Sequence, residues 1–159
     1  MKNIHWQYLL SITLFGGTIF AWFTVFNDFL LFYNTEGTLL KVTDCVIPNP
    51  VVTPCFYGAW AFLIAFIWSL LLLGFSGARL KINQKYLFWF MIGGTIFAWS
   101  NFIPQLVEFI NADMQPILGC SGQVTTNPFT TACFIGSAIF LLALIISFII
   151  YRLSKKSFS

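Results

Sequence analysis

Charged residues are scarce in this chain. They make up 8% of its 159 residues, and hydrophobic residues make up 58%. Because a soluble domain carries roughly a quarter charged residues, this composition argues against a soluble fold. The charges are also clustered, and they leave four long uncharged intervals, at positions 3–27, 45–78, 86–107 and 114–151.

Residues for metal and nucleotide chemistry are lacking as well. The chain has one histidine, His5, which cannot supply a bis-histidine haem or a histidine-based metal centre inside a membrane. The sequence contains no glycine-rich phosphate loop, no zincin helix and no serine elbow. These absences argue against hydrolytic and nucleotide-driven activities, and we expect no metal and no cofactor.

What the chain does have is long hydrophobic runs. Each uncharged interval contains a run of about 20 apolar residues, enough to cross a ~30 Å hydrocarbon core as a helix. The runs are continuous, which is not the alternating pattern of a membrane β-barrel. We therefore predict an all-α membrane protein, one membrane domain over residues 1–159, with four transmembrane helices at about 8–31, 56–76, 87–110 and 131–151.

The basic residues predict the orientation. All but one of the eight lie at the N-terminus, in a connection over residues 77–85 or at the C-terminus, whereas the five acidic residues lie at or in two longer loops. The positive-inside rule then places both termini and the connection in the cytoplasm and the longer, cysteine-bearing loops outside. The basic balance indicates topology and contact with the lipid bilayer, so we expect no nucleic acid partner.

The chain contains an internal repeat. The string Gly-Gly-Thr-Ile-Phe-Ala-Trp at 16–22 recurs at 93–99, and the string Asn-Pro-x-x-Thr-x-Cys-Phe-x-Gly at 49–58 recurs at 127–136. The offsets are 77 and 78 residues. Two long matches in the same order indicate a duplication. We predict two tandem parallel-repeat helical hairpins, at about 8–76 and 86–151.

Small residues lie in the middle of the first and third predicted helices. A small-xxx-small spacing lets two helix backbones approach closely within a membrane. We therefore expect the first and third helices to touch across a pseudo-two-fold axis, or two copies of the chain to pair as a homodimer. The predicted packing residues are Gly16, Gly17, Ala21, Gly93, Gly94 and Ala98.

The same two helices become polar near the longer loops. Polar residues close to membrane depth are costly and are functional candidates, although these positions are close enough to the interface to be solvated helix ends. The functional interpretation is a polar vestibule on the extracytoplasmic side, lined by Asp28, Asn101, Gln105 and Glu108.

Four cysteines allow three disulfide pairings. Each repeat holds one loop cysteine and one cysteine near a helix start, so the pairing that each repeat makes alone is Cys45–Cys55 and Cys120–Cys133. Loop cysteines in an oxidising compartment are usually structural. Thr53 and Pro54 before Cys55 are typical of a helix start, with an N-cap and a proline in the first turn.

Three functions remain open. The first is a non-catalytic protein that binds, or lets pass, a small solute at its extracytoplasmic face. The second is an accessory or scaffolding subunit with a membrane partner protein. The third is a thiol-disulfide oxidoreductase, because four helices with a cysteine pair in each outer loop resemble, in topology, the bacterial quinone-linked disulfide-generating oxidases. That resemblance would make Cys45, Cys55, Cys120 and Cys133 catalytic and a quinone the cofactor, although those enzymes carry a Cys-x-x-Cys that this chain lacks.

Overall fold

The computed structural model describes residues 4–39, 41, 43–112, 115–119 and 124–156, with the backbone alone for 155 and 156. Helices account for 83% of the described residues. The helices are α1 (Ile4–Glu36), α2 (Pro54–Gly74), α3 (Gly77–Asn111) and α4 (Ala132–Lys156). Two 3₁₀ turns, Pro50–Val52 and Pro128–Thr130, precede α2 and α4, and two short antiparallel strands, β1 (Ile117–Leu118) and β2 (Val124–Thr125), lie between α3 and α4.

The four helices are long and apolar enough to span a membrane. At 1.5 Å per residue, the shortest, α2 with 21 residues, reaches about 31 Å. Large apolar side chains are exposed along all four helices, among them Ile12, Ile64, Ile96 and Ile145. Apolar surface of this kind is suited to lipid rather than water. The chain is therefore a multi-pass membrane protein in contact with lipid.

The helices pack as a square. α1 packs against α2 and α4, and α3 packs against α4 and α2, so that α1 and α3 lie on one diagonal. We call the end with the segments between α1 and α2 and between α3 and α4 the loop end, and the opposite end the terminal end. The core is a stack of apolar residues from all four helices that includes Leu14, Phe62, Met91 and Phe140.

The predicted contact between the first and third helices is wrong. A Cβ on Gly17 would lie 2.6 Å from the Phe62 ring of α2, and a Cβ on Gly94 would lie 2.7 Å from the Phe140 ring of α4. The inner glycine of each pair therefore makes room for a phenylalanine of a neighbouring helix. Gly16 and Gly93 are exposed, with no described atom within 4 Å of a Cβ.

The predicted connection over residues 77–85 is helical. α2 ends at Gly74, and α3 begins at Gly77 after a two-residue turn, with Gly77 at a φ of +60° that favours glycine. The basic residues of this segment thus lie in the first turns of α3. α1 extends beyond its predicted span by four residues at its start and five at its end, and α3 begins ten residues earlier than predicted. The predicted length of α2, 21 residues, matches the structure.

The repeated Asn-Pro-x-x-Thr string forms the same local structure twice. The Asn49 side chain accepts a hydrogen bond from Val51 N at 3.0 Å, and the Asn127 side chain accepts one from Phe129 N at 2.9 Å. Each asparagine thereby caps a 3₁₀ turn that begins at the following proline. Thr53 is the N-cap of α2, as predicted, but its hydroxyl donates to Pro50 O instead of capping the helix.

Candidate functional site

A cavity lies between the four helices in the loop half of the bundle, with a volume of about 500 Å³ that includes its open mouth. Its lining is mainly apolar, and every helix contributes to it. Phe20 of α1 and Phe97 of α3 are 77 positions apart in the sequence, and Gly58 of α2 and Gly136 of α4 are 78 apart. The offsets of the repeated strings therefore relate residues on opposite sides of this central cavity.

A stacked pair of phenylalanines also lines the central cavity. The ring centroids of Phe62 and Phe140 are 3.9 Å apart, with an angle of 27° between the rings. Both side chains are almost fully buried, and their rings are seated against Gly17 and Gly94. Because buried aromatic pairs in contact with a close-packed core resist displacement, this pair gives the cavity a rigid apolar wall.

The space in the central cavity depends on the glycines of α2 and α4. A Cβ on Gly58 or Gly136 would have no described atom within 4 Å. A larger side chain at either position would therefore enter the cavity rather than clash with the helices. Three polar side chains also reach the lining, those of Thr24, Asn101 and Ser137.

A second, more polar cleft lies beside the cavity, between α1 and the segment that leads into α4. It encloses about 1030 Å³, including its open mouth. Its described lining includes Thr24, Asn27, Asp28, Thr130 and Thr131. Asp28 is the one ionisable residue among these described lining residues, and only 4% of it is exposed.

The central cavity and the polar cleft share a wall. Phe20, Thr24 and Ala132 line both of them. An apolar space and a space with a buried carboxylate are thus separated by single side chains. This arrangement can accept a molecule that has an apolar part and a polar part.

The structure does not gather the predicted vestibule residues at one place. Asp28 lies in the polar cleft, whereas Asn101 lines the central cavity and donates to Phe97 O at 2.7 Å. Gln105 is half-buried and Glu108 is exposed, and neither is among the described lining residues of the two spaces. Asn101, Gln105 and Glu108 share one face of α3, but they lie at successive turns toward the loop end, and only Asn101 is at the level of the central cavity.

The cysteines differ between the two hairpins. Cys45 and Cys55 lie 4.3 Å apart and are not bonded, so the predicted Cys45–Cys55 disulfide, which needs sulfur atoms about 2.05 Å apart, is not formed. The Cys45 thiol instead donates to Lys41 O at 3.6 Å. Cys133 is disulfide-bonded, and its predicted partner Cys120 lies outside the described residues.

Two of the cysteines border the central cavity. Cys55 and Cys133, at the starts of α2 and α4, both line it. Asp28 interacts electrostatically with Cys55, so the acidic group of the cleft and the thiol at the cavity are neighbours. Three chemical features therefore meet at the loop end of the bundle: an apolar cavity, a carboxylate and the neighbouring thiols of Cys45 and Cys55.

The sequence interpretation missed the phenylalanine pair and the role of the two glycines. A signal was available, because Gly58 and Gly136 close the repeated string and the phenylalanines follow each glycine by four positions, one helical turn.

In comparisons with protein-family models, curated proteins and solved structures, the chain has no significant match.

Proposed function

We propose that this protein binds a small amphipathic molecule with a cationic head at the loop end of its helical bundle. The apolar part would occupy the central cavity and the head would lie in the polar cleft beside Asp28. The observation that carries the proposal is the wall of Phe20, Thr24 and Ala132 that the two spaces share. The role is binding rather than catalysis.

The lining of the central cavity supports an apolar ligand. Small-molecule sites are typically lined by apolar side chains with a few polar groups, and this lining is apolar apart from a few polar side chains such as Thr24, Asn101 and Ser137. Burial of an alkyl chain there would contribute about 0.8 kcal/mol per CH₂ group. An apolar chain would thus supply most of the binding free energy.

The polar cleft supports a cationic head. The Asp28 carboxylate is the one ionisable group among the described lining residues of the cleft, and the neutral hydroxyls of Thr125, Thr130 and Thr131 line the same cleft. The electrostatic attraction of that carboxylate would favour an ammonium group in the cleft over a neutral or anionic head.

The repeat and the charge distribution support an orientation of this site in the membrane. We infer two tandem hairpins with both termini in the cytoplasm and the loops outside, because the two sequence strings recur in order and the basic residues cluster away from the loops. The ligand would then enter from the extracytoplasmic face or from the outer leaflet.

Binding of three probes to the protein in nanodiscs tests the proposal. The probes are an alkyltrimethylammonium, an alkyl alcohol and an alkyl sulfate of equal chain length, and calorimetry measures the Kd of each. We expect the ammonium to bind most tightly. Asp28→Asn should weaken ammonium binding at least ~10-fold and leave alcohol binding unchanged.

Matched variants serve as controls. Glu108→Gln removes a carboxylate that lies outside both spaces and should change no Kd. Gly58→Leu fills the central cavity and should weaken the binding of all three probes. Gly16→Leu, on the exposed face of α1, should leave their binding unchanged. Equal affinity of the three probes, or equal effects of Asp28→Asn and Glu108→Gln, would refute the cationic head.

The thiol pair favours a second candidate function, a quinone-linked dithiol oxidase. Cys45 and Cys55 are unbonded neighbours, and Cys55 lines an apolar cavity that could hold a quinone ring. In this reaction the two thiols would lose two electrons and two protons and form a disulfide, and the quinone would gain them and become a quinol.

Anaerobic oxidation of the reduced protein distinguishes this candidate. A soluble quinone should close the Cys45–Cys55 disulfide with one quinol formed per bond, measured by maleimide labelling and absorbance. Gly136→Leu, which fills the cavity, should slow the quinone reaction but not oxidation by diamide. If diamide closes the bond and quinone does not, the pair is structural and the binding function stands alone.

A further inference from the structure

A small polar cavity lies at the terminal end of the bundle, far from the proposed binding site. Each of the four helices contributes one polar side chain to its lining, and the remaining lining residues are apolar. The polar residues are Gln7 of α1, Ser69 of α2, Gln84 of α3 and Ser147 of α4. No charged residue is among the described lining residues of this cavity.

The two glutamines have unused hydrogen-bonding groups. Gln84 is 5% exposed, and its buried Oε1 accepts no hydrogen bond from the described residues. The buried Nε2 of Gln7 likewise donates none to them. Ser69 Oγ donates to Phe66 O at 2.7 Å, which leaves its oxygen able to accept. The cavity therefore offers a donor on α1 and acceptors on α2 and α3.

A dry cavity would be costly here. A buried polar group without a partner destabilises a protein, and two residues that line this space carry such groups. A buried water typically makes about three hydrogen bonds to otherwise unsatisfied groups. One molecule that can both accept and donate would satisfy Gln7 Nε2 and Gln84 Oε1 together.

The sequence places these residues in matching positions of the two repeats. Gln7 and Gln84 are 77 positions apart, and Ser69 and Ser147 are 78 apart. These are the offsets of the repeated strings themselves. The polar cavity is thus lined by matching positions of the two repeated halves of the sequence.

We propose that the terminal-end cavity binds a water molecule that bridges Gln7 and Gln84. The space accommodates about one water molecule. The absence of charge in its described lining fits a neutral occupant, and the donor and acceptor fit water, which supplies both functions. The bridge would connect α1 and α3, the diagonal helices, at the end of the bundle opposite the ligand site.

Side-chain amide NMR of the ¹⁵N-labelled protein in nanodiscs tests this proposal. Gln7→Leu and Gln84→Leu spectra assign the two side-chain amide signals. In ROESY spectra we expect NOE cross-peaks between the Gln7 amide protons and a long-lived water. Their sign should be opposite to that of chemical-exchange cross-peaks. Asn83 is the matched control, because its Nδ2 already donates to Arg79 O at 2.9 Å, and its amide should show no such long-lived water.

Thermal unfolding gives a second and independent readout. If water bridges the pair, each single leucine variant lowers the Tm, and the double variant loses less than the sum of the two, since the second change removes a bridge already broken. If the cavity is dry, Gln84→Leu replaces an unsatisfied amide with an apolar group and raises the Tm. A raised Tm together with no water NOE overturns the proposal.

Discussion

The two hairpins carry the same sequence strings but differ at the loop end. In both, a glycine of the first helix faces a phenylalanine, and an asparagine caps a 3₁₀ turn before the second helix. The segment between α1 and α2 contains no strand among its described residues, whereas the segment between α3 and α4 contains β1 and β2. The repeated residues therefore specify the helix junctions, and the residues between them determine each loop.

Hydrogen bonding explains the difference between the loops. Asn49 is 1% exposed, and its Nδ2 also donates to Leu39 O and Lys41 O, so it connects the first loop to the start of α2. Asn127 is exposed and has no such bonds to the described residues. The same type of cap thus serves as a buried anchor in the first hairpin and as a surface cap in the second.

The largest expected effect comes from the packed glycines. Gly17→Ala would place a Cβ 2.6 Å from the Phe62 ring and 3.0 Å from Ile139, and Gly94→Ala would place one 2.7 Å from the Phe140 ring. Because these rings are buried and stacked, we expect each substitution to lower the free energy of unfolding by about 1–3 kcal/mol. Unfolding of each variant in detergent measures this change.

The exposed glycines are the controls for that experiment. Gly16→Ala and Gly93→Ala meet no described atom and gain helix propensity, so they should be neutral or stabilising by up to about 1 kcal/mol. If Gly94→Ala is as harmless as Gly93→Ala, the equivalence of the two hairpins at the phenylalanine pair is wrong.

A smaller effect should separate the two asparagine caps. Asn49→Ala removes three hydrogen bonds at a buried position and should cost about 1–3 kcal/mol, whereas Asn127→Ala removes an exposed cap and should cost about 1 kcal/mol or less. Hydrogen exchange of the loop amides, alongside unfolding, should report faster exchange around Lys41 in the first variant only. Equal costs would contradict the anchor role of Asn49.

The smallest effect concerns the ion pair of the first loop. Lys41 Nζ lies 2.7 Å from Glu36 Oε2, and this hydrogen bond raises the pKa of Lys41 above its usual 10.5. A lysine whose pKa is raised in the folded state stabilises the protein at pH values below its usual pKa. This stabilisation is lost as the pH rises through the raised pKa. The stability difference between the wild type and Lys41→Met should therefore be small, constant near neutral pH, and vanish in strongly alkaline solution. A difference that changes between pH 6 and about 9 would refute this assignment.

Much of the architecture could be predicted from local sequence. Four uncharged apolar runs are sufficient to predict four membrane-length helices, since each run must satisfy its backbone hydrogen bonds internally. The start of α2 at Thr53 and Pro54 was predictable for a similar reason, because caps and proline act over a few residues. The orientation in the membrane and the tandem repeat remain predictions from charge and sequence identity.

The candidate site could be predicted only in part. Asp28 was identified as a polar residue near the loop end, but its burial beside Thr130 and Thr131 depends on how α1 meets the segment before α4. Asn101 was grouped with Gln105 and Glu108 by sequence, but they lie at successive turns of α3 and only Asn101 is at the level of the central cavity. The sequence also gave no sign that Cys45 and Cys55 would lie close together without a bond.

The sequence by itself determined the four membrane-length helices and the start of α2 at Thr53 and Pro54, because these depend on contacts within a few residues. Only the tertiary structure decided which side chains the repeated glycines and glutamines face. A glycine permits a neighbouring helix to pack closely but does not specify which helix packs there. The environment of a glutamine likewise depends on which polar groups of other helices line the same space. Partner choice is a property of packing between distant segments, which no local pattern contains.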